Sequence, residues 1–473
     1  MTDEGLFWLA VHTACSFNQS YKIDEIPDWC TTDYVTYLET EKLEDISVDK
    51  MTLEDRVEWT NRNMDTIIEY GETHKLVECE KPISYLACCI EIYDYTVAKR
   101  KNQLFLTRLP IPVDGSNNGW QHLAAMSKDS QAGELVGLTP QEIQQDFYVQ
   151  TGKRLHTHIT DQGIARIISQ MPMKCIRKGI SKRGSMTKAY SAGAKAIAKN
   201  MWNDCRTAGY DRDYGLEEGH CLLLATALDN AIADVCTGPL QTMRYLQDIA
   251  AFELGKHEIF SSITGKKAGT EYRDAVGRRR NIFHKKFKTE DDLTELNDIT
   301  LLLKSYEHRL VYGNGSKYLT WTTPSGFTVK YRKYRNYDLG VKASIRGYTK
   351  YHKTGRVNLK IKVQTDNPEV KGFMSGIAPN FVHSMDAAHM ALVIDQWNGD
   401  FGAVHDSFST HACDVEHLIG LTKRTFIDMY DVDNFYNYIE DQLITDKANL
   451  EIVQPELGDL NIEEIEDSDY FFA

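Results

Sequence analysis

Apolar residues in 82–98 recur at helical spacing around Tyr85, Leu86, Ile90 and Ile92, which predicts an amphipathic helix. Before it, 5–15 (GLFWLAVHTAC) reads as a short helix or buried element. Residues 31–80 are acidic, polar and helix-rich in pattern, as in TLEDRVEWTNRNMDTIIEYGE. Over 104–114, LFLTRLPIPVD, the pattern becomes β-rich and ends on Asp114-Gly115, a strand running into a turn. Helices are predicted from about 119, 140, 158 and 180, and 218–256 has so few breakers that one long helix or two should follow. Residues 260–316 are basic and polar without a strong period. Short strands are expected at 318–322, 327–333 and 358–364, and a helix at roughly 378–395. FGAVHDSFST, 401–410, reads as a strand–turn–strand hairpin with His405-Asp406 at its bend. Two helices and a polar acidic tail ending in Tyr470-Phe471-Phe472-Ala473 close the chain. The pattern predicts an α+β fold, mostly helical, with no internal repeat.

The 473 residues suit two or three packed subdomains rather than one. A hydrophobic fraction of 42% and a mean hydropathy of -0.43 predict a folded core, not disorder. No apolar run reaches about 18 residues, so no membrane span is expected. The start, MTDEGLFWLA, lacks the basic, then apolar, order of a secretion signal. Ten scattered cysteines without a CxxC pair point to free thiols in a reducing compartment.

A net charge of -14 argues against a nucleic-acid partner until it is resolved along the chain. Residues 1–95 hold 21 acidic and 7 basic side chains, and 430–473 hold 13 and 1. Residues 152–202 reverse this with 11 basic and 1 acidic, and 265–288 hold 9 and 2. Acidic ends around two basic blocks are compatible with a positive channel, though each block alone reads equally as a solvated face.

Phosphoryl transfer needs positive charge between attacking and leaving oxygens. Two divalent ions about 3.5–4 Å apart supply it, and carboxylates are the natural ligands of Mg²⁺. Asp114 and Asp406 are the candidates, one at a strand end and one in a hairpin bend, so widely separated that only the fold can join them. Taken singly, an Asp-Gly pair and a His-Asp bend are ordinary turns. A third element changes the balance. Within 177–191, Lys178, Lys182, Met186 and Tyr190 fall four apart, on one face of a predicted helix. Two ammonium groups would pair with phosphates, and the methionine and tyrosine would lie under a base and sugar. A basic amphipathic helix with its Met and Tyr in the core is the competing reading.

Four segments resemble the single-subunit RNA polymerases of phages and mitochondria. LPIPVDGSNNGWQHLAAM, 109–126, is similar to that family's Asp-Gly-Ser-x-x-Gly-x-Gln-His element, and KRGSMTKAYS, 182–191, to its Lys-Arg-x-x-Met-Thr-x-x-Tyr-Gly helix. GIAPNFVHSMDAAH, 376–389, matches nearly word for word, and VHDSFSTHACD, 404–414, resembles its His-Asp-Ser hairpin. Weaker agreement occurs at 5–12, 84–91, 138–148, 321–329 and 467–473. The resemblance implies a right-hand polymerase. Residues 1–150 would form the first part of a palm, 151–370 the fingers with a basic insertion at about 260–316, and 371–473 the rest of the palm and the tail. It implies two Mg²⁺ ions held by Asp114 and Asp406 with the Gly115 carbonyl. Lys182 would hold the triphosphate, helped by Arg183 and Lys178. Tyr190 would tell ribose from deoxyribose with His383 beside it, His405 would stand by the primer end, and Tyr148 near the template base.

Ser191 stands where the family usually has glycine, and Lys178 replaces an expected arginine. Family members carry a promoter-binding domain, a thumb and the first palm strands ahead of the segment resembling 5–15. The resemblance therefore leads us to expect that these are absent here and that a second polypeptide supplies them, as in split podophage enzymes. DNA template, RNA product and ribonucleoside triphosphates are the other expected partners, and the cytoplasm of an infected bacterial host the expected location. A related DNA polymerase is the nearest rival, but Gly-Ser-Asn-Asn-Gly-Trp-Gln-His follows Asp114 and Ser407 follows Asp406 where that group differs. A non-catalytic polymerase-like scaffold has no physical need of Asp114, Lys182, Tyr190 and Asp406 together. A phosphohydrolase of the His-Asp type lacks further histidine ligands at suitable spacing.

Overall fold

A computed structural model describes residues 1–254, 275, 278–282, 285, 289–307, 314, 316–344, 356–447, 450 and 452–472. The described chain is mostly helical with small antiparallel sheets. Helix α1 (Asp3–Phe17) starts where Thr2 accepts a hydrogen bond from the Gly5 N–H at 3.1 Å, and ends at Asn18 in the left-handed conformation. It packs against α2 (Leu53–Arg62) and α3 (Pro82–Arg100), burying Leu9, Trp59, Tyr85 and Cys89. Pro82 opens α3 at a position where its missing N–H costs nothing.

Strand β1 (Pro110–Asp114) is shorter than the 104–114 pattern predicts. Leu104 and Leu106 are exposed instead of paired. Prolines 110 and 112 suit β1's place at the sheet edge. The turn after Asp114 leads through left-handed Asn117 into α4 (Asn118–Ser127), every residue of which is buried. The helix expected near 140 is not there. Residues around Pro140 are irregular, and α5 (Phe147–His158) begins only where Asp146 accepts from the Tyr148 and Val149 N–H groups. The helix expected at 158 likewise waits for its cap, Asp161, and runs Gln162–Ser169.

A π turn at Arg177–Ser181 leads into α6 (Lys182–Lys188). Next come α7 (Ala194–Ala208), α8 (Glu218–Val235) and α9 (Thr237–Glu253). Of the two readings of 218–256, the pair is correct: α8 and α9 meet at 107° around Cys236. Among the described residues no single helix is long and apolar enough to cross a membrane. The core continues through α9, which packs on α4 and on α11 below.

Within the basic 260–316 segment, α10 (Glu290–Glu307) is helical, so the absence of a strong period misled. Arg278, Arg279 and Arg280 are exposed, whereas HKKFK lies, apart from Lys285, outside the described residues. Beyond it β2 (Leu319–Thr322) pairs with β3 (Thr328–Tyr331), and β4 (Tyr334–Ser344) with β5 (Arg356–Pro368). The β4–β5 ribbon exposes Tyr337, Leu339, Leu359 and Ile361. Helix α11 (Val370–Gln396) starts well before the predicted 378, running through Pro379. Buried Phe373, Ile377 and Phe381 hold that first stretch against the core despite the lost backbone donor. The predicted hairpin is present as β6 (Gly402–Val404) and β7 (Ser407–His411), with His405 at φ 57 in its bend. Helices α12 (Val415–Tyr430) and α13 (Phe435–Leu443) follow, as expected.

Candidate active site

The order β1–β7–β6 makes one antiparallel sheet of the two predicted aspartate elements. Asp114 stands opposite Ser407, Val113 opposite Phe408, and the Gly115 N–H donates to the Asp406 carbonyl at 3.2 Å. The two aspartates thus occupy adjoining positions at one end of the sheet. Both border a cavity of about 580 Å³. The crowding registers in Asp114, whose carboxyl is pushed up to about 6, first by burial and then by the negative charge of Asp406. Among the described residues no three His, Cys, Asp or Glu side chains cluster as a closed metal site. Mg²⁺ needs none, because it is commonly held by one or two carboxylates plus water and substrate phosphates.

Lys182, Arg177 and Lys50 line the same cavity, with Asp49 and Asp146 beside them, and the Lys182 ammonium is held below the usual lysine range by burial, then by Arg177 and Lys50. Cations that repel one another in a cavity mark a place for an anion. Arg177 is braced by Asp146, Nε to Oδ2 at 2.6 Å, and its guanidinium lies 5.7 Å from the Tyr148 ring centroid. Tyr148 lines the cavity, as expected, with its hydroxyl bonded to Asn117.

Two cations expected beside the triphosphate, Lys178 and Arg183, do not line the cavity. Lys178 does not line the cavity, because 177–181 is a π turn, not α-helix. The Lys182 N–H bonds the Arg177 carbonyl, five residues back, so Arg177 aligns with Lys182 and takes the place the α-helical spacing gave to Lys178. Arg183 points elsewhere, pairing with Asp204 at 2.7 Å.

Met186 and Tyr190 line the cavity at 45% and 38% exposure, large side chains left open to it. Tyr190 follows the end of α6 and stacks on His383, with ring centroids 4.5 Å apart and planes 3° apart. Its phenol is pushed up to about 12 by burial, then by Asp406 and Asp386, so it stays a neutral donor. Burial and the nearby His405 lower His383, so its imidazole favours the neutral form. His405 is exposed in the hairpin bend, beside rather than in the cavity wall. Ser191 has φ 60 and a buried hydroxyl without a partner, a conformation natural to glycine. Ser191→Gly should relieve about 1 kcal/mol of strain, seen as a higher unfolding midpoint; an unchanged or lower midpoint would show that the serine is at ease there.

Pattern reading missed five contributors. Lys50 sits in the acidic N-terminal region, where nothing local singles it out. Arg177 was hidden by the π turn. Asp386, three residues after His383 on α11, was within reach of a helical-spacing argument. Phe471 and Phe472 close the back of the site: Phe472 bridges Gly115, and the Phe471 carbonyl accepts from Ser116 N–H at 3.3 Å and Gln121 Nε2 at 3.0 Å.

Comparison with known proteins agrees with the motifs. The family model described as DNA-dependent RNA polymerase matches residues 1–454. The DNA-directed RNA polymerase of Enterobacteria phage K11 is 24% identical, the match covering 90% of this chain and 46% of that protein. T7 RNA polymerase of Escherichia phage T7 is 22% identical over 90% and 47%. The chloroplastic/mitochondrial DNA-directed RNA polymerase 2 of Arabidopsis thaliana is 23% identical over 90% and 36%. The chain thus spans about half the length, or less, of these relatives. With its aspartate sheet, the cations of its cavity and a match along nearly its whole length, this chain belongs to the DNA-dependent RNA polymerase family.

Proposed function

We propose that this chain carries the catalytic centre of a DNA-directed RNA polymerase, which adds ribonucleoside monophosphates to an RNA 3′ end on a DNA template and releases pyrophosphate. The observation that carries the reading is the pairing of β1 with β7, which sets Asp114 and Asp406 side by side in a cavity that Lys182 and Arg177 also line. The oxygen donors of Asp114, Asp406 and the Gly115 carbonyl fit a hard cation, and the mutual crowding of the two carboxylates is what a cation offsets. A pair of Mg²⁺ ions held there would supply Lewis-acid stabilisation of the attacking and leaving oxygens. The chain's own residues do the positioning. Lys182, Arg177 and Lys50 bind the triphosphate, Met186 and Tyr148 offer apolar and aromatic surface to the bases, and the Tyr190–His383 stack meets the sugar. A buried hydroxyl partner left unpaired costs about 1–3 kcal/mol, enough for roughly tenfold or better discrimination against deoxyribose.

In this reading 1–150 and 371–473 make the palm and 151–370 the fingers. A second polypeptide completes the palm and supplies the thumb and promoter-binding half. Support comes from exposed Ile83, Leu104, Leu106 and Val404 and from the unpaired outer edges of β1 and β6. The family's phage members place the enzyme in the cytoplasm of an infected bacterium.

The test is extension of an RNA primer on a DNA template with Mg²⁺ and either ribo- or deoxyribonucleotides, using the chain alone and the chain with its candidate partner. Template-dependent extension with ribonucleotides, strong only in the pair, is expected. Extension with deoxyribonucleotides alone would replace the reading by that of a DNA polymerase. A monomeric chain working at full rate unaided would remove the second polypeptide.

A further inference from the structure

Asp386 is a further carboxylate close to Asp406, and the transfer chemistry does not use it. It lies on α11, and its Oδ1 accepts a hydrogen bond from Asn118 Nδ2 at 2.6 Å. Asn118 opens α4, in the turn that follows Asp114, and borders the cavity. It is only 5% exposed, and its carbonyl oxygen, Oδ1, is buried with no partner among the described residues. A carboxylate can only accept, so Asp386 takes the donor end of the amide and leaves the acceptor end free. A buried acceptor without a donor is costly, and its persistence marks a place where a donor arrives.

The same two helices hold Tyr190. Its ring stacks on His383 of α11, and its hydroxyl lies over Gly119 of α4, so closely that a Cβ at 119 would come within 3.0 Å of Oη. Tyr190 therefore sits in a slot with one wall on each helix. The Asn118–Asp386 bond ties those walls together one residue from Gly119 and three from His383.

We propose that Asn118 and Asp386 are a positioning pair: Asp386 fixes the width of the Tyr190 slot and turns the Asn118 carbonyl oxygen toward a hydroxyl of the nucleotide sugar. This rests on the polymerase reading above. The pair acts on selection of the sugar more than on the rate of transfer. Part of its effect passes through Tyr190 and part through the Asn118 oxygen itself, so it should shrink but persist where Tyr190 has lost its hydroxyl.

The experiment measures kcat/KM for ATP and for dATP in primer extension by the complete enzyme carrying Asn118→Ala, Asp386→Ala or Asp386→Asn, each checked for its unfolding transition. Asn118→Ala and Asp386→Ala should lower the ATP-to-dATP ratio by about tenfold, the scale of one hydrogen bond to a charged group, mainly through the KM for ATP. Asp386→Asn, whose carboxamide oxygen still accepts from Asn118, should keep most of the ratio. Adding Asp386→Ala to Tyr190→Phe should lower the ratio further, but by less than Asp386→Ala lowers it alone. An unchanged ratio in the two alanine variants overturns the proposal, and so does equal loss in Asp386→Asn and Asp386→Ala. If Asp386→Ala fails to fold, the Asn118→Ala ratio decides alone. A parent enzyme that extends no primer overturns the polymerase reading and this role with it, a failure recognisable without any variant.

Discussion

If the chain is the polymerase proposed, Asp114→Asn and Asp406→Asn should each lower RNA synthesis by on the order of 10³-fold or more, because the Lewis-acid stabilisation that a metal held there would supply is worth several kcal/mol of barrier. The carboxamide keeps the shape and one oxygen but loses the charge that holds a hard cation. Binding of the DNA template should change little, since it draws on basic side chains elsewhere. The same substitution has an opposite effect on the metal-free fold. The Asp114 carboxyl rises from 3.8 to about 6 on folding, by burial and then by Asp406. A carboxyl raised by folding contributes stability that is full below its unfolded value and lost as the pH climbs through its folded value. Above about pH 6, therefore, the parent bears a penalty that Asp114→Asn removes, and the variant should melt higher in metal-free buffer. Below about pH 4 the difference should disappear. Loss of synthesis without the gain in melting temperature would mean that Asp114 is not crowded as the sheet geometry requires. Retained synthesis in either variant would take the metal-binding role away from that residue.

The sheet that makes this prediction possible was half legible in the sequence. Asp114 at a strand end and Asp406 in a hairpin bend were readable from local pattern, because strands and turns have short-range signatures. Their pairing was not, because register between distant strands is set by tertiary packing, here Val113 and Phe408 turned into one core. The Lys182–Met186–Tyr190 face was legible for the same local reason. Lys178 was misplaced because periodicity assumes 3.6 residues per turn, and a π turn breaks that count without any composition signal. The helix expected near 140 failed for a related cause: apolar spacing suggested where a helix is possible, but Asp146 decides where it starts. Lys50 shows the limit of charge tallies. It belongs to an acidic stretch of the chain yet lines the same cavity as Lys182. A segment's net charge says nothing about which single side chain the fold turns inward.

Phe471→Ala should cost about 3–5 kcal/mol of stability, the usual range for truncating a fully buried aromatic. It should also slow synthesis at temperatures where the variant remains folded. Phe471 is 0% exposed and packs edge-on to Phe426 at 4.9 Å, in a cluster that includes His389 at 6.4 Å. The second effect follows from the backbone. The Phe471 carbonyl anchors Ser116 and Gln121, and the next residue bridges Gly115, so this segment braces the turn that presents Asp114. Phe472 reaches the other half of the site, stacking on Phe408 of β7 at 5.4 Å, two residues from Asp406. One short segment thus grips both aspartate elements from behind, and a cavity at 471 lets that grip slacken. Transfer geometry is steep in position, so a small displacement of one metal ligand costs rate rather than affinity. Denaturant unfolding should show the loss of stability. Primer extension at low temperature should show kcat falling further than the KM for nucleotide rises. A Phe471→Leu variant, which refills most of the volume and leaves the backbone contacts in place, should recover most of both. If Phe471→Ala unfolds easily yet transfers nucleotides at the parent rate when folded, the segment contributes packing alone and the bracing of Asp114 must come from β7.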